Sequence, residues 1–385
     1  MNPMRIPHPN LYLSIYNEDS RFATKVLDLS IQNLDFVSSH YNTVLNPIQM
    51  LTAIDIAVKT TMHETIDNRT FMLDFELLDS RDTIEWMIRE YLFNTVFSGQ
   101  NGVIIEATSA LNDMMEKTDI DDIKVGMLNM PYDLCYFNLN DPVPIKGTPI
   151  RGMFVHGVYT YSRKIKIDRS VQSMIEMAER ITEKQYDGSE HLNLIDVIMI
   201  SGQIKGSSEY DGYGPKIAFS YQMAFMDSSN EDLKNIMFDK VMENAELKGR
   251  GHSAPAYIEA ASRAFKNAIY MSCKDARIIK NNELTEFKKR YAGLGQKKAA
   301  KMANRMNQKY DRIIVGPEHL QADQISSDHE DTDRKLAPHW RRGHIRNQKH
   351  GEGFQLNRMV WIQPTIVNKA LTEDPVKPKT YKVMR

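Results

Sequence analysis

Residues 217–225 alternate along their whole length between large apolar side chains and small or polar ones. The large members are Ile217, Phe219, Tyr221, Met223 and Phe225. A period of two residues is typical of a half-buried strand rather than a helix. We predict that Leu192–Ile200 is its partner, because the intervening Ser201–Lys216 contains four glycines and suits a long hairpin loop. The two strands are therefore predicted to pair antiparallel.

The segments on either side of this hairpin predict the remaining elements. Val125–Leu139 and Arg151–Tyr161 are predicted to add strands, which gives a sheet of four or more. A helix is predicted from Ser253, with a proline in its first turn and an apolar face that packs on the sheet. In the first third of the chain, apolar residues recur with helical period within Phe22–Val37 and again within Ile84–Thr95.

The change of period near residue 125 predicts an α+β fold class. We expect a helical N-terminal region, a central antiparallel sheet with packed helices, and a basic C-terminal segment whose last strand returns to that sheet. The predicted regions are 1–120 (mainly helical), 121–273 (the sheet region) and 274–385 (the basic region), the last with an acidic linker at 316–337 and a distinctive segment at 338–368.

Charge is divided unevenly along the chain, although the formal net charge is only −1. Residues 1–273 contain 25 Lys and Arg against 37 Asp and Glu, whereas residues 274–385 contain 24 against 13. Within the second part, residues 274–312 are predicted to form two basic helical stretches. A basic third on an acidic body indicates a polyanionic partner such as nucleic acid, and a solvated helical surface is the alternative.

The sequence favours an intracellular protein without a membrane partner. Its apolar runs, such as Val197–Ile200, fall far short of the roughly 20 residues that span a bilayer. The N-terminus has neither the apolar core nor the cleavage site of a secretory signal. Cys135 and Cys273 lie in apolar surroundings and are predicted to be buried thiols in a reducing compartment.

Familiar catalytic motifs are missing from the sequence. There is no phosphate-binding Gly-x-x-x-x-Gly-Lys-Ser/Thr, no Gly-x-Ser-x-Gly and no His-Glu-x-x-His. An enzyme is therefore unsupported, no catalytic residue is assigned and no cofactor is expected.

The distinctive segment combines arginines, histidines, tryptophans and glycines. In an extended conformation Trp340, Arg342, His344 and Arg346 would project from one face at intervals of about 6.5–7 Å. Guanidinium groups bind phosphate or carboxylate, and an indole stacks on bases, so this face suits a single-stranded nucleic acid or an extended acidic peptide. The alternative is an edge strand whose arginines pair with the acidic body.

The histidines of this segment raise the question of a metal site. His339, His344, His350 and Glu352 have permissive but unspecific spacing, and no carboxylate cluster for magnesium accompanies them. We therefore predict no metal site. The imidazoles are predicted to donate hydrogen bonds or to contact phosphate. A nuclease with His339 or His344 as general base is an alternative.

The C-terminal segment resembles the signature of the second type V-A anti-CRISPR family, which is encoded by phages and plasmids. The resemblance is carried by Pro338–His344, Gly351–Gly353 and Arg358–Asn368. Two more segments, Met127–Phe137 and the one beginning at Ile150, are similar to strands of that family. The resemblance implies a protein that recognises the N-terminal peptide of the CRISPR nuclease as it emerges from the ribosome and triggers loss of its messenger RNA.

This resemblance leads to our expectation of function. We expect an anti-CRISPR-like inhibitor that acts in the cytoplasm of a bacterial host. It would recognise a nascent peptide, an mRNA or both at the translating ribosome, and would lower the expression of the defence nuclease that they encode. The predicted binding residues are His339, Trp340, Arg341, Arg342, His344, Arg346, Gly351, Gly353, Arg358, Trp361 and Asn368. A metal-dependent ribonuclease and a non-enzymatic phage accessory protein that binds RNA are the alternatives.

Overall fold

A computed structural model describes most of the chain beyond residue 101. The described residues are 102–121, 123–146, 152–203, 216–247, 251–273, 276–292, 309–318, 339–341, 343–354, 356–362 and 365–367. Before them only residues 29, 32, 33, 56–58, 60, 61 and 97 are described, and all are helical. The rest of the two predicted helical stripes of the first third lies outside the described residues, as does most of the predicted acidic linker.

The described residues form an α+β fold, as the sequence predicts. In chain order the strands are β1 (Val103–Ala107), β2 (Thr118–Asp119), β3 (Leu134–Pro144), β4 (Met153–Lys166), β5 (His191–Gln203), β6 (Lys216–Met226), β7 (Ile278–Asn281), β8 (Arg312–Val315), β9 (His339–Arg341), β10 (Gly343–His350), β11 (Leu356–Ile362) and β12 (Thr365–Val367). The helices are α1 (Ser109–Glu116), α2 (Gln172–Thr182), α3 (Leu233–Leu247), α4 (Ala254–Met271) and α5 (Glu283–Ala292).

Seven strands form the central sheet, in the order β6-β5-β4-β3-β1-β8-β7. The four strands from β3 to β6 pair antiparallel, and the predicted hairpin of β5 and β6 is confirmed, with Met199 opposite Phe219. Strand β1 differs, because it runs parallel to both β3 and β8. The sheet is therefore mixed. The parallel pairing of β1 and β3 is possible because the chain crosses over through α1 between them.

Helices cover both faces of this sheet. Successive strand residues point to opposite sides, so each face has its own set of side chains that pack against a helix. On one face Phe219 stacks on Tyr257 of α4, with ring centroids 4.4 Å apart and planes 6° from parallel. On the other face Leu192 and Leu194 pack against Ala178 of α2. The main core lies on the first side, where α3 and α4 pack over the strands.

Helix α4 confirms the helix predicted from Ser253. Pro255 lies in its first turn, where its missing N–H costs no hydrogen bond. Six alanines are buried along it, and these small side chains let the helix approach the sheet closely.

Two expectations about the C-terminal region are wrong. Strands β10 and β11 do not return to the central sheet: β10 pairs with β11 and with the short strand β2, while β12 pairs with β9. The stretch predicted as two basic helices contains strand β7 near its start, which pairs with β8 from Ile278 opposite Val315 to Asn281 opposite Arg312 before α5 starts. The division at residues 120 and 273 stays a prediction.

Cys135 and Cys273 are both buried and free, as predicted. Burial raises the pKa of the Cys135 thiol to about 12, so this group is unreactive at neutral pH. In the part of the chain that the structure describes, we find no helix with the length and apolar character needed to cross a membrane.

Replacing Gly157 by alanine tests the packing of the sheet. A Cβ at this position of β4 would lie 2.2 Å from the hydroxyl oxygen of Tyr136, whose buried ring is held against Tyr159. We expect Gly157→Ala to lower the free energy of unfolding by about 1–3 kcal/mol, measured by urea denaturation.

Gly251→Ala is the matched control, because a Cβ there meets nothing within 4 Å. We expect it to change the free energy of unfolding by no more than about 0.5 kcal/mol. Equal effects of the two substitutions would contradict the packing described for Tyr136.

Candidate functional site

The distinctive segment folds into a hairpin of β10 and β11, residues 343–362, which we call the signature hairpin. Its strands pair antiparallel from His344 opposite Ile362 to His350 opposite Leu356. The turn uses Gly351 and Gly353, with φ of 81° and 65°, a left-handed conformation that glycine adopts without strain. Both glycines are exposed at the tip of the hairpin.

One face of the signature hairpin, its inner face, packs against the core. Ile345 is fully buried, and Trp361, directly opposite it, packs against the main core together with Met359. Alternation along the two strands places these three side chains on the same side. The inner face is therefore structural.

Trp361 attaches the hairpin to the sheet region at Thr118. Its indole Nε1 donates a hydrogen bond to Thr118 Oγ1 at 3.3 Å, and that hydroxyl donates to the carbonyl of Met114 at 2.8 Å. The Trp361 ring also packs nearly perpendicular to the Tyr270 ring of α4, with centroids 5.2 Å apart. Strand β10 pairs with β2 at the same place, with Gly343 opposite Thr118.

The opposite side, the outer face, carries cations and polar groups. It consists of His344, Arg346, Gln348 and His350 of β10 with Arg358, Val360 and Ile362 of β11. Arg358 donates from Nη2 to the Gln348 side-chain oxygen at 3.3 Å. Arg346 is exposed and makes no ion pair with any carboxylate of the described residues. The alternative prediction, in which the arginines form ion pairs with the acidic body, is therefore not supported for Arg346 among the described residues.

The structure brings only some of the predicted binding residues together. His344, Arg346 and Arg358 share the outer face, Gly351 and Gly353 form the tip, and Trp361 lies on the inner face. The ring of Trp361 anchors the hairpin, and a role for Trp361 in binding stays a prediction.

The face predicted to extend from Trp340 to Arg346 is divided between two strands that pair with different partners. The backbone of His339, Trp340 and Arg341 forms β9, which pairs with β12, whereas His344 and Arg346 belong to β10. Arg342 and Asn368 lie outside the described residues. In the described part of the chain, no three His, Cys, Asp or Glu side chains form a group that could hold a metal ion.

Sequence reasoning missed a second candidate site, a cavity of about 700 Å³ between α1, the end of β3 and α4. We call it the acidic cavity, because four carboxylates line it together with two cations and three amides: Asp113, Glu116, Asp141, Glu259, Arg263, Lys266, Asn112, Asn140 and Asn267. The signal in the sequence was the run of polar residues on the alanine-rich helix α4, of which Glu259, Ser262, Arg263, Lys266 and Asn267 line the cavity. Their partners on α1 and β3 are more than 100 residues away.

Lys266 links the acidic cavity to the hairpin anchor. Its ammonium group donates to the carbonyl oxygens of Met115 at 2.8 Å and Thr118 at 2.7 Å, at and just after the end of α1. Desolvation lowers the pKa of Lys266, and the nearby carboxylates only partly offset this effect. The same residue, Thr118, thus receives hydrogen bonds from the cavity wall and from the hairpin.

Comparison with known families decides the identity of the chain. A family model described as the Anti-CRISPR type V subtype A2 family matches residues 105–369, which is more than half of the sequence. The chain belongs to this family. The matched range includes the signature hairpin and both strand segments that carried the resemblance in the sequence, so that resemblance is confirmed.

This family member also has a structural neighbour of low sequence identity. It is similar to a chain titled "Crystal structure of AcrVA2", with 14% sequence identity and a TM-score of 0.39 over 90% of this chain and 95% of that one. No curated protein matches the sequence.

Replacing Trp361 tests the anchoring of the signature hairpin. We expect Trp361→Ala to lower the free energy of unfolding by about 2–4 kcal/mol and to increase hydrogen exchange of the β10 amides, since it removes both the half-buried ring and the bond to Thr118. Trp361→Phe keeps an aromatic ring and should cost only about 0.5–1.5 kcal/mol for the lost hydrogen bond. If β10 exchanges in Trp361→Ala as it does in the unchanged protein, Trp361 is not the anchor.

Proposed function

We propose that this family member inhibits type V-A CRISPR immunity by recognising the nascent peptide or the mRNA of the CRISPR nuclease and lowering its expression. The observation that carries this proposal is the family match over residues 105–369. Recognition, rather than catalysis by this chain, is the activity that the described side chains support best.

The outer face of the signature hairpin is the surface that we assign to recognition. Arg346 is exposed there and lies opposite half-buried Val360, while His344 lies opposite half-buried Ile362. A guanidinium group beside apolar side chains suits a chain that is extended and presents both anionic and apolar groups. A free guanidinium is also less costly to desolvate in a complex than an ammonium group.

The rigidity of the hairpin supports this assignment. Ile345 and Trp361 hold its inner face on the core, so the outer-face side chains project from a fixed pair of strands. A preorganised surface loses less conformational entropy when it binds an extended partner. The partner that we favour is the nascent peptide. The following experiment distinguishes recognition of this peptide from recognition of the mRNA.

Recoding the nuclease gene separates the two partners. The protein is expressed beside a type V-A nuclease gene in two forms, one with synonymous codons that keeps the N-terminal peptide and one that keeps the RNA but shifts the reading frame. We expect the transcript to fall only when the peptide is made. A fall with the frame-shifted form would favour RNA recognition, and metal-dependent cutting of naked RNA by the purified protein would contradict the proposal.

A pair of variants shows whether the outer face is responsible. Arg346→Ala removes an exposed cation from the outer face, and Lys349→Ala removes one from the other side of the same strand. We expect Arg346→Ala to weaken recognition about tenfold and to restore the transcript, because a charge-assisted contact is lost. Lys349→Ala should leave the transcript low, and both variants should unfold within about 0.5 kcal/mol of the unchanged protein.

A further inference from the structure

Strand β7 forms one edge of the central sheet, and among the described residues only β8 pairs with it. In register with this pairing, the N–H of Gly316 donates to the Arg277 carbonyl at 2.9 Å. Since hydrogen-bonded positions alternate along an antiparallel pair, the backbone of Ile279 also faces β8. The N–H and C=O groups of Ile278 and Lys280 therefore face away from it, and no described residue forms a hydrogen bond with them. The edge thus offers two donors and two acceptors to an added strand.

Two apolar side chains between two cations form the exposed surface of this edge. Ile278 and Ile279 are 41% and 37% exposed, although they belong to the central sheet. Arg277 and Lys280 flank them and are exposed as well. Arg277 uses one of its five donors on Glu318, at 2.7 Å, whereas Lys280 forms no ion pair with a described residue. A partner with two apolar groups between two anions would match this surface.

The edge is held in place at both of its ends. Before the strand, the N–H of Arg277 donates to the hydroxyl of Tyr270 at 3.1 Å. After it, the Asp311 carboxylate accepts the N–H groups of Leu284 at 2.8 Å and Thr285 at 3.1 Å, which fixes the start of α5. A strand fixed in this way loses little conformational entropy when another strand is added to it.

The charge around this edge selects among the possible partners. Residues 274–312 contain 12 Lys and Arg against 4 Asp and Glu, so a second copy of this chain would bring two cationic segments together. The phosphates of a nucleic acid would satisfy the cations, but they have no donor for the free carbonyls of Ile278 and Lys280 and no apolar group for the isoleucines. An extended acidic peptide supplies donors, acceptors, apolar groups and anions together.

We propose that the edge of β7 binds an acidic peptide segment of a partner protein, which adds to the central sheet as an eighth strand. The order cation, apolar, apolar, cation along Arg277–Lys280 is matched by anion, apolar, apolar, anion, which reads the same in both strand directions. Main-chain hydrogen bonds to Ile278 and Lys280 would hold the segment, and the side chains would select it. The edge belongs to a different sheet from the signature hairpin, so this inference does not depend on the proposed function.

Two labelled peptides test the charge preference on the full chain. The probe is acetyl-Thr-Glu-Val-Val-Glu-Thr-amide, and the control has lysine in place of both glutamates. Fluorescence anisotropy should show the acidic peptide binding at least about tenfold more tightly, with affinity that falls as salt is added. Equal affinity of the two peptides would overturn the proposal. So would displacement of the acidic peptide by less hexathymidylate than unlabelled peptide, or self-association of the chain that competes with the peptide.

Methylation of the peptide backbone tests whether the peptide binds as a strand. Only one of two neighbouring residues in an added strand directs its N–H to β7, whichever way the strand runs. We expect N-methylation of one valine of the acidic peptide to reduce affinity about tenfold, and N-methylation of the other to have little effect. Equal effects of the two methyl groups would contradict pairing with a strand edge.

A reversal of charge locates the binding at β7. We expect Lys280→Glu to weaken binding of the acidic peptide about tenfold and to strengthen binding of the lysine peptide, because the cross-strand charge changes sign. The control is Lys164→Glu, an exposed lysine in β4 of the same sheet, which should change neither affinity. Both variants should melt at the temperature of the unchanged protein. An unchanged preference in Lys280→Glu, or an equal loss in Lys164→Glu, would contradict binding at this edge.

Discussion

The side-chain hydroxyl of Thr118 joins the signature hairpin, to which we assign recognition, to the end of helix α1. It accepts the indole N–H of Trp361 and donates to the Met114 carbonyl, so a residue of the signature hairpin completes the end of helix α1. The backbone carbonyl of Thr118 receives Lys266 in the same region. Because Thr118 is buried, each of these bonds is protected from water and costly to leave unmade.

The uneven charge of the sequence corresponds to two surfaces of opposite sign. The carboxylates of the acidic cavity all come from the acidic first 273 residues, whereas the cations of the outer face come from the basic last 112. A nearly neutral protein can in this way present a cationic strand pair to one kind of group and a carboxylate-lined cavity to another.

Much of the fold could be predicted from local sequence patterns. The alternation of Ile217–Phe225 and the glycines before it determine a hairpin, because both the strand period and the loop are local properties. The parallel pairing of β1 could not be predicted, since it depends on which distant strand lies beside it. Strand β7 was missed because its flanking lysines and arginines resemble those of a helix.

The candidate site shows the same limit. Period-two spacing correctly placed His344 and Arg346 on one face, but spacing alone does not say which face of a hairpin is buried. The hydrogen bond of Trp361 to Thr118, 243 residues earlier in the sequence, could therefore not be predicted. The acidic cavity was missed for the same reason, because α1, β3 and α4 become neighbours only in the folded chain.

Photo-crosslinking from the outer face tests the central claim most directly. A photoreactive phenylalanine analogue is placed at position 360, opposite Arg346 on the outer face, or at position 349 on the other side of β10, in bacteria that express a type V-A nuclease gene. Our account predicts that position 360 crosslinks to the N-terminal peptide of the nuclease while it is being translated, and that position 349 does not. Equal crosslinking from both positions, or none to the peptide or transcript of the nuclease from position 360, would contradict it.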